Sequence, residues 1–414
     1  MENNKDNNLN KTKLIKSIGA GAVLMSAVMG PGSLATMLVT GSEYGNSMLW
    51  VVLLAVLLSG VIAYEGGKIA CVKNKDLYHF FEEQLGKTFT LVLLGIVMIT
   101  WSLVIFSQGK TFLTTIQFLS GSSGAVSLII FIVAELVIGY VFTSGKQSAQ
   151  SLASIMVTLL SLIFLINIFV IKPDFGSVAT GIIPRLPKWA EAGIIASIVG
   201  SSAPGTSAGW YSFSVIDNKQ DNPNYLKTIR IDQTYYTIIF GIFCLGAYLS
   251  ASEILFPLGI KVNNAIDAAV SLEPLVGKFA SYIISFGFFG ALFTTVGGMA
   301  SYLGKAVSTF YEISKSNSEN QQKYDKIAKS VIWVGILISI LGGFVTGNAI
   351  KYLVNFIGFL TIGGFIITVL VSYYTSSEKH MGKYKNGILM NIICVMLIII
   401  NGYSAISIIL KFIK

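Results

Sequence analysis

Apolar residues fall in long runs separated by short polar stretches along almost the whole chain. An α-helix needs about 20 consecutive apolar residues to cross the hydrocarbon core of a bilayer. About eleven runs meet that length: 15–44, 47–72, 88–118, 124–144, 149–172, 189–216, 229–254, 278–311, 328–348, 351–374 and 386–411. A further helical segment near 262–275 is expected at the surface between the seventh and eighth runs. The pattern predicts an all-α polytopic membrane protein, with a polar tail over residues 1–14 and a single transmembrane domain over 15–414. The tail, "MENNKDNNLNKTK", does not read as a signal peptide. Its basic residues are mixed into an Asn-rich stretch, and no small-residue cleavage site follows.

Composition agrees with the pattern. The chain is 53% hydrophobic and 12% charged, about half the charge fraction of a soluble domain. The three cysteines, Cys71, Cys244 and Cys394, are too scattered for a disulfide framework or a metal-ligand spacing. The net charge of +9 is explained by topology. With a cytoplasmic N-terminus, 19 of the 29 Lys and Arg residues fall in cytoplasmic segments, eight fall outside, and Lys68 and Lys110 lie within spans. The odd span count then puts the C-terminus outside. The expected location is the cell (plasma) membrane, and the expected partners are the lipid bilayer and a small-molecule or ion substrate. No nucleic-acid partner is expected, and a monomer is the expected unit.

Only two of the eight prolines, Pro31 and Pro204, interrupt apolar runs, the first and the sixth. Their surroundings match: "GPGSLA" at 30–35 and "APGTSA" at 203–208 both read small–Pro–Gly–Ser/Thr–x–Ala. Proline removes a donor and frees the carbonyl four residues back, and glycine permits an unwound backbone. Such backbone persists at membrane depth only against protein or a water-filled cavity. Paired interruptions at corresponding places in two halves of a chain mark the binding site of a secondary transporter.

The stretch "GPGSLATMLVTGSEYGNSMLW" resembles the first helix of the NRAMP family of divalent-metal transporters, through Gly41, Tyr44, Gly45, Leu49 and Trp50. "SAPGTSAGWYS" resembles that family's sixth-helix Met-Pro-His motif, and "LEPLVGKFA" at 272–280 resembles its segment before helix eight. The resemblance covers nearly the whole chain. It implies a LeuT-type five-plus-five inverted repeat with discontinuous helices 1 and 6. Repeat one then spans about 15–172, repeat two about 189–374, and an extra helix about 386–411.

The departures from that family bear on the cargo. Its metal-binding Asp and Asn of the first motif stand here as Gly30 and Ser33; its sixth-helix Met and His stand as Ala203 and Gly205, and a later His as Trp210. Ser107 and Lys110 lie near the third-helix places where the family carries acids. Dehydrating a divalent ion in low dielectric without a carboxylate is very unfavourable. The expected substrate-binding residues are therefore Gly30, Gly32, Ser33, Ala203, Gly205, Thr206, Ser207 and Trp210. The small residues among them are expected to leave room for a small polar organic solute, moved by alternating access, with no metal site and no cofactor. The alternative is proton-coupled transport of a divalent ion held by carbonyls and partly hydrated, and a further alternative is a sensor that kept the fold without transporting.

Ser107, Lys110, Glu135, Glu65, Thr294, Thr295 and Thr361 are candidates for coupling or for lining the cleft. An intramembrane ionisable residue is a functional candidate by default. Lys68, three residues after Glu65, offers an ion pair on one helix face, which leaves Glu135 as the better candidate for proton coupling. Asp232 is expected at the interface beside Arg230. Both histidines, His79 and His380, lie in predicted loops, and there is no HExxH, no phosphate loop and no charged ring, which argues against an enzyme or a channel.

Overall fold

A computed structural model of the protein describes residues 28–144, 147–185, 192–219, 223–263, 265–315 and 321–413. The predicted tail and the first run up to residue 27 lie outside the described residues. Every regular element among the described residues is helical. The long or functionally placed helices are α1 (Pro31–Tyr44), α2 (Leu49–Lys73), α3 (Leu77–Leu85), α4 (Lys87–Ser120), α5 (Ala125–Ser144), α6 (Gln147–Ile171), α7 (Ala192–Ser201), α8 (Pro204–Asp217), α9 (Leu226–Ser250), α10 (Ala280–Lys315), α11 (Gln321–Gly343), α12 (Ala349–Ile357), α13 (Leu360–Ser376) and α14 (Ile388–Ile413).

Local chemistry sets most of the boundaries. Proline opens both α1 and α8, where a missing N–H costs no intrahelical bond. Asn74 at φ 56° and Gly121 at φ 63° end α2 and α4 in the left-handed conformation that stops a helix. Asp76 caps α3 by accepting from the backbone N–H groups of Tyr78 and His79. α9 runs into one wide turn, Ala251–Leu255, closed by the Phe256 N–H on the Ala251 carbonyl at 3.1 Å. That turn packs against α1.

Among the described residues, eight helical stretches are long and apolar enough to cross a membrane. The first, Pro31–Lys73, carries α1 and α2 through the turn at Gly45–Met48 and so holds parts of two predicted spans. Besides the first, which breaks at Met29–Gly30, two predicted spans are divided. The sixth is interrupted between α7 and α8, as its proline requires. The tenth is interrupted at Gly358–Phe359, between α12 and α13, where no proline announces a break. The segment predicted near 262–275 consists of short helical turns, Ala265–Ala269 and Glu273–Val276 among them.

α2 packs along α8 and α9, α4 along α10 and α11, and α8 against α13; α14 lies on α13 and α7. Small residues allow the closest of these approaches. A Cβ on Gly109 of α4 would lie 1.7 Å from the Ser339 carbonyl of α11, so the α4–α11 contact requires glycine there. Apolar side chains such as Leu57, Ile99, Ile129 and Phe169 form an outer belt suited to lipid, while buried hydroxyls and carboxylates face the interior.

Candidate functional site

The two proline motifs meet. Helical geometry at Val28 stops at Met29, and α1 restarts at Pro31 with Gly30 extended at φ −107°, ψ −176°. In the second motif α7 stops at Ser201, Ala203 takes the left-handed conformation at φ 46°, ψ 46°, and α8 starts at Pro204. A non-glycine residue held there is strained, and surrounding packing must hold it. The strained turn turns carbonyls away from the helix, and hydroxyls meet them. Ser33 Oγ lies 2.8 Å from the Ser201 carbonyl, and Ser59 Oγ donates to the Ser202 carbonyl at 2.6 Å. Ser33 Oγ is also within bonding distance of the Val28 carbonyl. Each of these groups is buried.

The meeting place is small. The space lined by Gly30, Ser33, Ser201, Gln108, Thr295 and Met299 amounts to about 10 Å³, enough for the centre of a single water-sized sphere. The expectation that small residues leave room for a solute is corrected here. A Cβ on Gly30 would meet Thr295 Oγ1 at 2.2 Å, one on Gly32 would meet Ile357 Cδ1 at 2.4 Å, and one on Gly205 would meet the Gly364 carbonyl at 1.8 Å. The glycines let α10, α12 and α13 close in, so neighbouring elements fill the volume that larger side chains would have taken.

Two buried polar atoms at this place, Gln108 Oε1 and Thr295 Oγ1, have no hydrogen-bond partner among the described residues, and Gln108 Nε2 lies 3.8 Å from Met299 Sδ. Trp101 Nε1 is likewise without a partner. Buried polar groups are rarely left so. Among the described residues no group of three or more His, Cys, Asp or Glu side chains could hold a metal ion.

A vestibule lies on each side of the space. One, about 340 Å³, is lined by Phe213, Asp217, Thr294, Ser301, Lys305 and Asp325, with Trp210 and Tyr302 at its inner end. Trp210 stacks on Tyr302 at 5.0 Å between centroids, and Trp101 meets both edge-on at 5.4 and 5.1 Å, so an aromatic layer separates this vestibule from the space. The other vestibule, about 370 Å³, is lined by Glu43, Ser197, Lys261, Asn348, Lys351 and Asn355. Leu353 and Ile357 of α12 pack against Gly32 between it and the space.

α3 ties the aromatic layer from outside the spans. The Tyr78 and Tyr302 hydroxyls are 2.7 Å apart, and the Leu77 N–H donates to Ser212 Oγ of α8 at 3.0 Å. His79 bonds Asp76 through Nδ1, and its Nε2 lies 3.6 Å from Glu312 of α10. Burial pulls the His79 imidazole toward its neutral form, but the Asp76 and Glu312 carboxylates outweigh it and push its pKa up to about 9.

Other predicted residues sit away from the meeting place. Thr206 and Ser207 are buried in the first turn of α8, where Thr206 Oγ1 bonds the Ala203 carbonyl at 3.3 Å. Ser107 and Thr361 bond carbonyls of their own chain segment, Val104 and Gly358. Lys110 is half-buried on α4 and lines neither the space nor either vestibule. Thr294 faces the first vestibule while its neighbour Thr295 faces the space. Glu65 is paired with Lys68 at 2.8 Å and bonded by Asn386. Glu135 is fully buried between α5 and α11: Ser339 donates to one oxygen at 2.6 Å, and the other has no partner among the described residues. Asp232, expected at the interface, is 2% exposed and accepts from the Tyr211 hydroxyl at 2.7 Å. Gln108, Met299, Trp101 and Ser59 were not expected at the site. Gln108 had a signal, since an uncharged amide within an apolar span needs a partner.

Comparison with known proteins accounts for this arrangement. The family model described as Natural resistance-associated macrophage protein-like matches residues 21–411. The "Natural resistance-associated macrophage protein 2 homolog" of Dictyostelium discoideum is 25% identical over 438 aligned positions, which take in 99% of this chain and 65% of that protein. The "Divalent metal cation transporter MntH" of Levilactobacillus brevis is 24% identical over 94% of this chain and 88% of that protein. Among solved structures, a point mutant of the Eremococcus coleocola manganese transporter superposes with a TM-score of 0.68 at 13% identity, covering 97% of this chain and 86% of that one. MHP1, a nucleobase-cation-symport-1 family transporter, superposes at 0.59 with 11% identity, covering 95% and 90%. The fold is thus that of the LeuT-type transporters, and the chain belongs to the Nramp family of integral membrane transporters.

Proposed function

We propose that the protein carries a divalent metal ion across the membrane by alternating access around the two interrupted helices. One observation carries the reading: both breaks converge on a small space, with room for the centre of one water-sized sphere, that Gln108 Oε1 and Thr295 Oγ1 face and that is set between two vestibules. Relatives named as divalent metal cation or manganese transporters support it. A small polar organic solute, the first expectation from the sequence, fits less well, because the packing of Thr295, Ile357 and Gly364 against the glycines leaves it no volume in this conformation.

The donors offered are neutral: Ser33 Oγ, Thr295 Oγ1, Gln108 Oε1, the Ser201 carbonyl and Met299 Sδ. They offer a cation lone pairs but do not neutralise its charge. Binding in such a site is weak, on the order of 10⁻⁴ M or weaker, and the ion retains part of its hydration from the adjoining vestibules. The thioether favours softer ions, so cadmium binds ahead of manganese and magnesium. Trp101, Trp210 and Tyr302 gate one side, and Leu353 and Ile357 the other. Glu135, fully buried with one oxygen open, is the proposed carrier of the coupling proton.

The test is uptake of cadmium and manganese into liposomes holding the purified protein, beside calorimetry of the same ions. Uptake that falls in Gln108→Leu and Met299→Leu supports the reading. Neither uptake nor binding of any divalent ion, with an organic solute raising the unfolding temperature instead, would overturn it.

A further inference from the structure

At one end of the bundle a cleft of about 380 Å³ is lined by Lys68, Lys227, Arg230, Lys383 and Lys385 against a single acid, Glu65. That acid is already engaged by Lys68 and Asn386. Lys385 is paired with Glu378. Among the described residues, no carboxylate lies within ion-pair distance of Lys227, Arg230 or Lys383. The Arg230 guanidinium sits 5.5 Å from the Tyr64 ring centroid and gives one N–H to the Tyr64 hydroxyl at 3.3 Å, leaving most of its five donors for another acceptor.

A second cleft of about 500 Å³ begins where the first ends, and Tyr64, Arg230 and Met390 line both. Its floor is the apolar face of α2 at Leu54, Leu57 and Val61, and its walls are α9 at Ile238 and α14 at Ile393 and Met396. Leu57 is 54% and Ile238 55% exposed, which puts this cleft on the lipid-facing belt. The charge asymmetry of the sequence assigns the basic end to the cytoplasmic side.

We propose that the joined clefts bind one anionic phospholipid, its headgroup phosphate among Lys227, Arg230 and Lys383 and an acyl chain along α2 between α9 and α14. A basic pocket between spans on the cytoplasmic side suits such a headgroup. A soluble anion does not account for the apolar continuation, and a neutral lipid does not account for the cations. The proposal uses the chain's place in the membrane and is independent of what is transported.

The experiment measures lipid retained by the full-length protein in detergent, by native mass spectrometry, after addition of phosphatidylglycerol or phosphatidylcholine. Phosphatidylglycerol is expected to be retained well above phosphatidylcholine. Lys227→Gln with Arg230→Gln lowers that retention by about fivefold per removed cation and leaves phosphatidylcholine unchanged. Leu57→Trp, which fills the apolar cleft, lowers it as well. Excess inorganic phosphate does not displace the lipid. Equal retention of the two lipids by the wild-type protein overturns the proposal without any variant having to fold. Displacement by phosphate, with Leu57→Trp having no effect, overturns it in favour of a soluble-anion site.

Discussion

The hydroxyl of Ser33 and the carbonyl of Ser201 lie 2.8 Å apart across 168 residues of sequence, joining the two interrupted helices at their breaks. Ser33 carries one proton and faces two carbonyls, those of Ser201 and Val28.

Replacing Ser33 with alanine strips the Ser201 carbonyl of its donor in a buried setting. The expected cost is about 1–3 kcal/mol, seen as a lower unfolding temperature in detergent, with reduced metal uptake. Ser59→Ala, which bares the Ser202 carbonyl, is expected to cost stability in the same range. Unchanged stability in Ser33→Ala would mean that the contact does not hold the breaks together.

At Gly205 a Cβ would lie 1.8 Å from the Gly364 carbonyl, a contact with backbone that cannot swing away. Gly205→Ala should push α8 from α13, destabilise the protein by about 1–3 kcal/mol or more, and abolish transport. Gly95→Ala, with nothing within 4 Å of the added carbon, is the control and should be neutral or slightly stabilising. Comparable melting of the two variants would contradict the packing described.

Trp210→Ala removes the middle of the aromatic layer between the space and the vestibule at Asp217 and Lys305. A thiol placed at position 295 (Thr295→Cys) should then react with a water-soluble maleimide from that side several-fold faster than with Trp210 present. The native cysteines are buried and serve as the background. Equal rates would show that the layer is not the barrier.

His79 carries a pKa raised to about 9, from an ordinary value of 6.5. Its proton binds the folded state more tightly than the unfolded one. The stabilisation is therefore complete below about pH 6.5 and is lost as pH rises through about 9. Unfolding midpoints measured between pH 6 and 10 should fall across this window, and His79→Gln should flatten that part of the profile. An identical slope in His79→Gln would assign the pH dependence elsewhere.

Glu135→Gln keeps the shape of the side chain and its Ser339 contact but removes the exchangeable proton. Metal binding should persist while the response of uptake to an imposed pH gradient is lost. A gradient response of wild-type size in Glu135→Gln would exclude this residue from coupling.

Most of the architecture was legible in the chain because membrane helices obey a one-dimensional rule. Length and apolarity locate a span, and a proline among apolar residues locates its interruption, as at Pro31 and Pro204. The break between α12 and α13 was not legible, because Gly358–Phe359 carries no residue that forbids a helix and the jog comes from packing. At the site, Ser33 could be read from its motif and Thr295 from its hydroxyl within an apolar span, whereas Gln108 and Met299 belong to α4 and α10 and reach it only through the fold.

The sequence by itself determined that this is a helical membrane protein with two paired breaks and no acid in either motif, since those properties reside in runs and neighbours. Only the tertiary structure decided how large the meeting place is and which side chains face it. Volume depends on how closely other helices approach: at Gly30, Gly32 and Gly205 the absent side chains were answered by Thr295, Ile357 and Gly364 moving in, so residues that suggested an open cleft produced a closed one.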